Sequence, residues 1–259
     1  MTHTSLPHVT LVGAGPGDPE LLTLKAVKAI ASASVLLVDD LVSDAITAHA
    51  SAGARIIHVG KRGGCQSTPQ AFIEKLMVQE ALSGETVVRL KGGDPFIFGR
   101  GGEEVEHLQA QGIAVTVING ITSGLAGVTS LGIPLTHREH AHGVVFITGH
   151  AKQGTAEHVD WVALGHTAQQ AKLTLVIYMG VRGAAHLQEA LLQSMRANTP
   201  VAVIHQVSLP TQRHGVCELQ HLHETLLRET LASPSVIVIG DVFKGMLAMQ
   251  GNAEFKASA

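Results

Sequence analysis

The run from Arg89 to Glu104, RLKGGDPFIFGRGGEE, limits what this chain can fold into more than any other part of it. Just before and into it, Thr86-Val87-Val88 are β-branched or apolar and predict a short buried strand. Beyond it, 103–111 predicts a helix, with acidic residues in the first turn and Gly112 at the C′ position. Between strand and helix lie glycines, a proline and two phenylalanines. Glycine lets a ligand approach the backbone closely, and a helix N-terminus offers unpaired N–H groups. In an open α/β sheet, a crossing of this kind at the carboxyl end of a strand is where ligands dock. A plain connection needs only about 2–6 residues, so the length itself favours a ligand loop over a bare connector.

The preceding residues set the frame. Val9-Thr10-Leu11-Val12 predicts a strand running into a glycine-rich loop, Gly13 to Asp18. A helix is expected next, with Asp18 as N-cap, Pro19 at its first position and Leu22, Ala26, Ala29, Ile30 and Ala33 on one face. Further strands are expected at 34–38, 55–59 and 114–118. Thr68-Pro69 should open a helix with Phe72, Ile73, Leu76 and Met77 turned inward and Gly84 stopping it. Five strands alternating with helices predict one doubly wound, mostly parallel α/β unit over 1–119. Asn119-Gly120 reads as the hinge into a second α/β unit, 120–245. There a helix of small residues at 122–131 precedes strands at 143–148, 173–179, 201–206 and 236–240. A helix is expected at 182–196, an antiparallel strand at 213–219 and a helix at 221–231, which makes the second sheet mixed. Residues 246–259 are expected to form a flexible tail.

Composition narrows the function classes. With 259 residues, 45% hydrophobic and 15% charged, the chain has enough apolar surface for substantial cores. The net charge of −3, with 18 scattered basic residues, argues against a nucleic-acid surface. Two distant cysteines, Cys65 and Cys217, fit a reducing compartment better than a disulfide framework. No secretory signal or membrane-length apolar run is visible, so a cytoplasmic protein is expected. The 16 histidines lack ligand spacing apart from His137 and His140, and no metal is expected.

The loops reject two common chemistries. Gly13-Ala14-Gly15 begins a dinucleotide fingerprint, and Asp39 or Asp40 stands where a ribose-binding acid would. Asp18 occupies the position of the third glycine, however, and Pro16 stiffens the turn. No P-loop lysine, nucleophile elbow or zinc-protease helix is present. What remains is a set of loops at the carboxyl ends of expected strands, carrying Asp39, Asp40, Lys61, Arg62, Asp94, Arg100, Thr122, His137 and Arg138. They offer cations for an anionic substrate and backbone groups for a neutral or cationic ligand.

These residues resemble a known family. Val12 to Lys25 (VGAGPGDPELLTLK), Val59-Gly60-Lys61-Arg62 and the opening run are similar to the uroporphyrinogen-III C-methyltransferases of the tetrapyrrole methylase superfamily. The resemblance extends to Gly132 to Arg138 (GIPLTHR), Thr148-Gly149-His150 and Tyr178-Met179-Gly180, and covers about Val9 to Val242. It implies two α/β domains with the active site in the cleft between them, a homodimer, and S-adenosylmethionine as methyl donor, leaving as S-adenosylhomocysteine. Cofactor contacts would fall on Pro16, Gly92, Gly93, Asp94, Ile97, Thr122, Ser123 and Met179. Asp39 matches the family's proton acceptor and Lys61 its proton donor. The implied reaction methylates carbons 2 and 7 of uroporphyrinogen III, giving precorrin-2 by way of precorrin-1, for sirohaem, cobalamin or haem d1 synthesis. Arg62, Arg89, Arg100 and Arg138 are the cations available for the substrate's carboxylates.

The chain departs from the family pattern at Val38, Asp40, Asn119, Ser123 to Ala126 and Val207, where tyrosine, arginine, proline, Ala-Ala-Ser-Gly and a small residue are usual. No dehydrogenase–chelatase module is visible, so precorrin-2 is the expected end product. The alternatives are a methyltransferase acting on a later corrin intermediate, a nicotinamide-dependent oxidoreductase and a non-catalytic binder of the same ligands.

Overall fold

The structure, a computed structural model, describes residues 6–60, 69–149 and 159–244. The chain divides into two compact units, Met1–Ser123 and Gly124–Ala259. Both are α/β.

The first unit is built on five strands: β1 (His8–Gly13), β2 (Val35–Val38), β3 (Arg55–His58), β4 (Val87–Lys91) and β5 (Ala114–Ile118), in the order β3-β2-β4-β1-β5. Every pairing is parallel, so the sheet goes beyond the mostly parallel expectation. The period-2 alternation of a strand then sorts its apolar side chains onto two faces. Val9, Leu11, Val35, Leu37 and Val87 pack with Ile73, Met77 and Ala81 of helix α3 (Gln70–Leu82) and Leu108 of helix α4 (Gly101–Ala110). Val12, Leu36, Val38, Val88 and Leu90 face Ala26 and Ile30 of helix α1 (Leu24–Ser32) and Ile46 of the single-turn α2 (Asp44–Thr47). Helices therefore cover both faces, as the near-continuous apolar strands require.

Three local expectations need correcting. Asp18 caps a 3₁₀ turn, Pro19–Leu21, through a 2.8 Å bond from the Glu20 N–H. The α-helix starts later, where the Thr23 hydroxyl accepts from the Ala26 N–H at 3.1 Å. Phe72 is exposed, because the buried stripe of α3 runs through Ile73, Met77, Glu80 and Ala81, one position around the helix. The helix after the opening run begins at Gly101, with Arg100 as its N-cap in a left-handed conformation.

The second unit begins with α5 (Ser123–Ser130) and carries β6 (Gly143–Thr148), β7 (Leu173–Tyr178), β8 (Pro200–His205), β9 (Arg213–Glu218) and β10 (Ser235–Ile239), in the order β6-β7-β10-β8-β9. Only β6 and β7 pair in parallel; the other three pairings are antiparallel, so the sheet is mixed as expected. One face packs on α6 (Trp161–Ala171), α7 (Ala184–Leu192) and α8 (Leu222–Arg228). Helix α5 lies close to the sheet. A Cβ on Gly124 would collide with the Tyr178 hydroxyl and sit 2.5 Å from Val176 Cγ1, while the Gly124 N–H donates to that hydroxyl at 2.9 Å. Helix α6 was not expected. Its buried positions, Trp161, Gly165 and Ala168, carry little apolar signal beyond the tryptophan. Among the described residues, no helix is long and apolar enough to cross a membrane.

Candidate functional site

The strand order of the first sheet points to a candidate site. β1 and β4 are neighbours, yet the chain leaves β1 for β2 on one side and leaves β4 for β5 on the other. Their outgoing loops also lead to opposite faces, one to α1 and one to α4. This is a topological switch point, where a doubly wound sheet leaves a crevice beyond the carboxyl ends of its strands.

Glycines let three loops interlock there. Gly15 and Gly93 form an isolated antiparallel bridge: the Gly93 N–H donates to Gly15 O at 2.7 Å and the Gly15 N–H to Gly93 O at 3.1 Å. Both have positive φ, +71° and +68°, a region that L side chains rarely adopt. A Cβ on Gly13 would lie 2.7 Å from Gly93 O and collide with the Gly120 backbone. Asp94, 7% exposed, binds the loops from its side chain: one oxygen accepts from the Phe96 N–H at 2.8 Å, the other from the Gly120 N–H at 3.1 Å and Asn119 Nδ2 at 3.2 Å. Asn119, a departure from the family pattern, thus adds a donor to Asp94 that proline could not supply. The backbone of Gly120 is part of the same interlock.

Of the expected cofactor contacts, Pro16, Gly92, Gly93, Asp94, Ile97 and Thr122 lie in loops following β1, β4 and β5, and Ser123 opens α5. Gly92 is required by the protein itself, since a Cβ there would meet Leu41 Cβ at 2.7 Å. Met179 belongs to the second unit, directly after β7; it is half-exposed and has φ +56°. Phe98 and Arg100 share this rare conformation, with φ +54° and +58°. Non-glycine residues held there gather at ligand sites more often than chance would place them.

Lys61 and Arg62 lie outside the described residues. Asp39, the expected proton acceptor, follows β2 with its side chain 35% exposed, and its Oδ1 accepts from Arg89 Nη2 at 3.1 Å. Arg89 does not fit the expected role of gripping a substrate carboxylate. It is 1% exposed, and Nη1 donates to the carbonyls of Leu37 and Leu90 at 3.4 and 3.1 Å. Its Nε lies 3.4 Å from Glu104 Oε1, which also receives Lys91 Nζ at 3.0 Å and Gln70 Nε2 at 3.1 Å. Burial, together with the Arg89 charge, holds the Lys91 ammonium below the usual lysine range, against the pull of Glu104 and Asp39. Sequence reasoning missed Lys91 and Glu104, and singled out Asn119 and Gly120 only as a hinge and a departure from the family pattern. Buried charges on a strand show no pattern until their partner helix is known.

Among the described members of the arginine set, Arg100 and Arg138 are exposed. Both Nε and Nη2 of Arg100 donate to the Glu103 carboxylate, raising the guanidinium further above its ordinary value. These two residues, with Pro95, Phe96, Gly101 and Gly102, line an open hollow of about 480 Å³. Arg138 sits in a turn closed by paired bonds of 2.8 and 2.9 Å between His137 and Ala141. In that turn the donor atoms of His137, Glu139 and His140 come within 4.8 Å of one another, and the two imidazoles stack at 4.6 Å. The Lys172 ammonium donates to the Glu139 carbonyl at 3.1 Å, and the His137 Nδ1 is engaged by the Glu139 N–H at 3.2 Å. With the Lys172 ammonium close by and His137 Nδ1 already engaged, the turn is a poor metal centre.

Comparison with known proteins identifies the family. The family model of the Tetrapyrrole (Corrin/Porphyrin) Methylases matches residues 8–223. A uroporphyrinogen-III C-methyltransferase of Pseudomonas aeruginosa is 49% identical over 241 residues, 93% of this chain and 96% of that protein. One from Bacillus subtilis is 45% identical over 235 residues, 90% of each. The uroporphyrin-III C-methyltransferase of Thermus thermophilus, solved in complex with S-adenosylhomocysteine, is 36% identical, with a TM-score of 0.74 and coverage of 91% of this chain and 92% of that one. With the interlocked loops at its switch point and a family match over most of its length, this chain belongs to the tetrapyrrole methylases.

Proposed function

We propose that the chain methylates carbons 2 and 7 of uroporphyrinogen III from S-adenosylmethionine, giving precorrin-2 by way of precorrin-1. The observation that carries this reading is the loop set at the switch point. Among residues 13–18, 92–97 and 119–123 there is no lysine or arginine. Such loops set no cationic side chain against a donor whose sulfur is already cationic. Gly93 keeps open room, since a Cβ there would meet only Thr122, at 3.8 Å. The residues present therefore fit S-adenosylmethionine, and the named substrates of the relatives supply the methyl acceptor.

When bound, S-adenosylmethionine supplies an electrophilic methyl group on a sulfonium. Pro16, Gly92, Gly93, Asp94, Ile97, Thr122, Ser123 and Met179 are the proposed residues that hold it. Their task is to aim the methyl at an electron-rich pyrrole carbon, which attacks without metal assistance once the two are aligned. The ring system must then lose a proton, and Asp39 is the proposed acceptor, steadied by Arg89. Lys61 is the proposed donor. Arg100, Arg138 and Arg62 are the proposed partners of the substrate carboxylates. Incubation with uroporphyrinogen III and S-adenosylmethionine, followed by mass spectrometry, should show a gain of two methyl groups. No gain from a sample that binds the cofactor normally would overturn the substrate assignment. Gain on a later corrin intermediate instead would support the alternative named above.

A further inference from the structure

We propose that Glu104, in the first turn of α4, is a positioning residue for the methyl-transfer reaction: through Arg89 it sets the place of the Asp39 carboxylate. The proposal rests on the reading of Asp39 as proton acceptor.

The line of contacts is continuous. Glu104 is fully buried, and its Oε1 faces Arg89 Nε, Lys91 Nζ and Gln70 Nε2 at 3.4, 3.0 and 3.1 Å. Arg89 carries the line forward, from Nη2 to Asp39 Oδ1 at 3.1 Å. The Leu90 carbonyl accepts from both Arg89 Nη1, at 3.1 Å, and the Asp39 backbone N–H, also at 3.1 Å. The guanidinium thus braces the point where the chain leaves β2 as well as the side chain that emerges there. A planar fork of fixed N–H directions does this in a way that a flexible ammonium cannot.

Structural need alone does not account for the arrangement. In register, Arg89 lies between Leu11 and Leu37, and its side chain shares their core. Burying charges beneath a sheet is unfavourable, and a well-packed apolar replacement is often neutral or stabilising. The second carboxylate oxygen of Glu104 is buried without a hydrogen-bond partner among the described residues, which a mere helix anchor would not need. What the charged set achieves is a fixed carboxylate at the rim. Asp39 is half-buried beside the loops of the site, while everything that holds it lies beneath the sheet edge.

A double-mutant cycle on the full chain tests this. Asp39→Asn, Glu104→Gln and the double variant are compared by steady-state kinetics, with S-adenosylmethionine affinity measured separately by calorimetry. Glu104→Gln should lower kcat about 10–100-fold, the scale expected from a misplaced catalytic group, while KM and calorimetric affinity for the cofactor stay within about twofold. The double variant should be no slower than Asp39→Asn alone, because the loss is routed through Asp39. Independent, multiplying losses, an unchanged kcat in Glu104→Gln, or a loss confined to cofactor affinity would each overturn the positioning role. Full turnover in Asp39→Asn would overturn the Asp39 reading and this proposal with it, a result distinct from failure of the cycle. Should Glu104→Gln not fold, Arg89→Lys keeps a positive charge beside Glu104, removes the fork that reaches Asp39, and carries the same expected pattern.

Discussion

A methyl group added at Gly120 would collide with the Gly93 carbonyl oxygen and lie 2.7 Å from the Gly13 carbonyl carbon. All its obstacles are backbone, so no side-chain rotation relieves the clash. Gly120→Ala should therefore destabilise the first unit by about 1–3 kcal/mol, the usual range for overpacking, and weaken S-adenosylmethionine binding in calorimetry. Gly53→Ala, where a Cβ meets nothing within 4 Å, serves as the control and should leave binding unchanged. At this scale the sequence was informative about residue types and less so about reasons. Asp94 stood out in its motif, but only the fold shows that its carboxylate joins the β4 loop to Asn119 and Gly120. Gly92 looked like room for a ligand and proves to be needed by Leu41 as well. Arg89 looked like a substrate hand because arginines usually reach solvent, and its burial follows from lying between two leucines in the middle of a sheet.

Between elements, a second ionic set ties the turn after β10 to the segment that follows α7. Arg196 Nη2 contacts both oxygens of Asp241 at 2.9 and 2.8 Å, and Lys244 Nζ reaches the same carboxylate at 2.9 Å. Burial pushes the Asp241 carboxyl up, but the hydrogen bonds from Lys244 and Arg196 outweigh it and hold the group below its ordinary value. A carboxyl with a lower pKa folded than unfolded adds stability above the usual aspartate range and loses it as pH falls through the folded value. Asp241→Asn should thus cost about 1 kcal/mol at neutral pH, as expected for a partly exposed ion pair, with the difference closing on acidification. Urea titrations across that pH range check it. Strands were the most legible elements, since β-branched runs bounded by glycine and polar residues gave β1, β5 and β6 nearly residue for residue. Helix α6 was not, because it packs through Gly165 and Ala168. A Cβ on Gly165 would come within 3.1 Å of Leu191 and Met195 side-chain atoms, so close helix packing suppresses the very residues that periodicity relies on.

For the molecule as a whole, each unit encloses its own apolar core. The proposed homodimer should appear in light scattering as about twice the 27.1 kDa chain mass; a monomer at micromolar concentration would overturn that expectation. The amino-acid order alone determined the alternation of strands and helices, the parallel character of the first unit, the mixed sheet of the second and the glycine-rich loops after the strands. Those properties depend on neighbours within a turn or a strand, where hydrophobic period and glycine placement act directly. Tertiary structure alone decided that β4 inserts between β2 and β1. That insertion crosses the glycine loops and sets Arg89 beneath Asp39, with Glu104 behind it. Contacts between residues far apart in the chain depend on strand order, and strand order is chosen by the fit of whole faces, which no local pattern records.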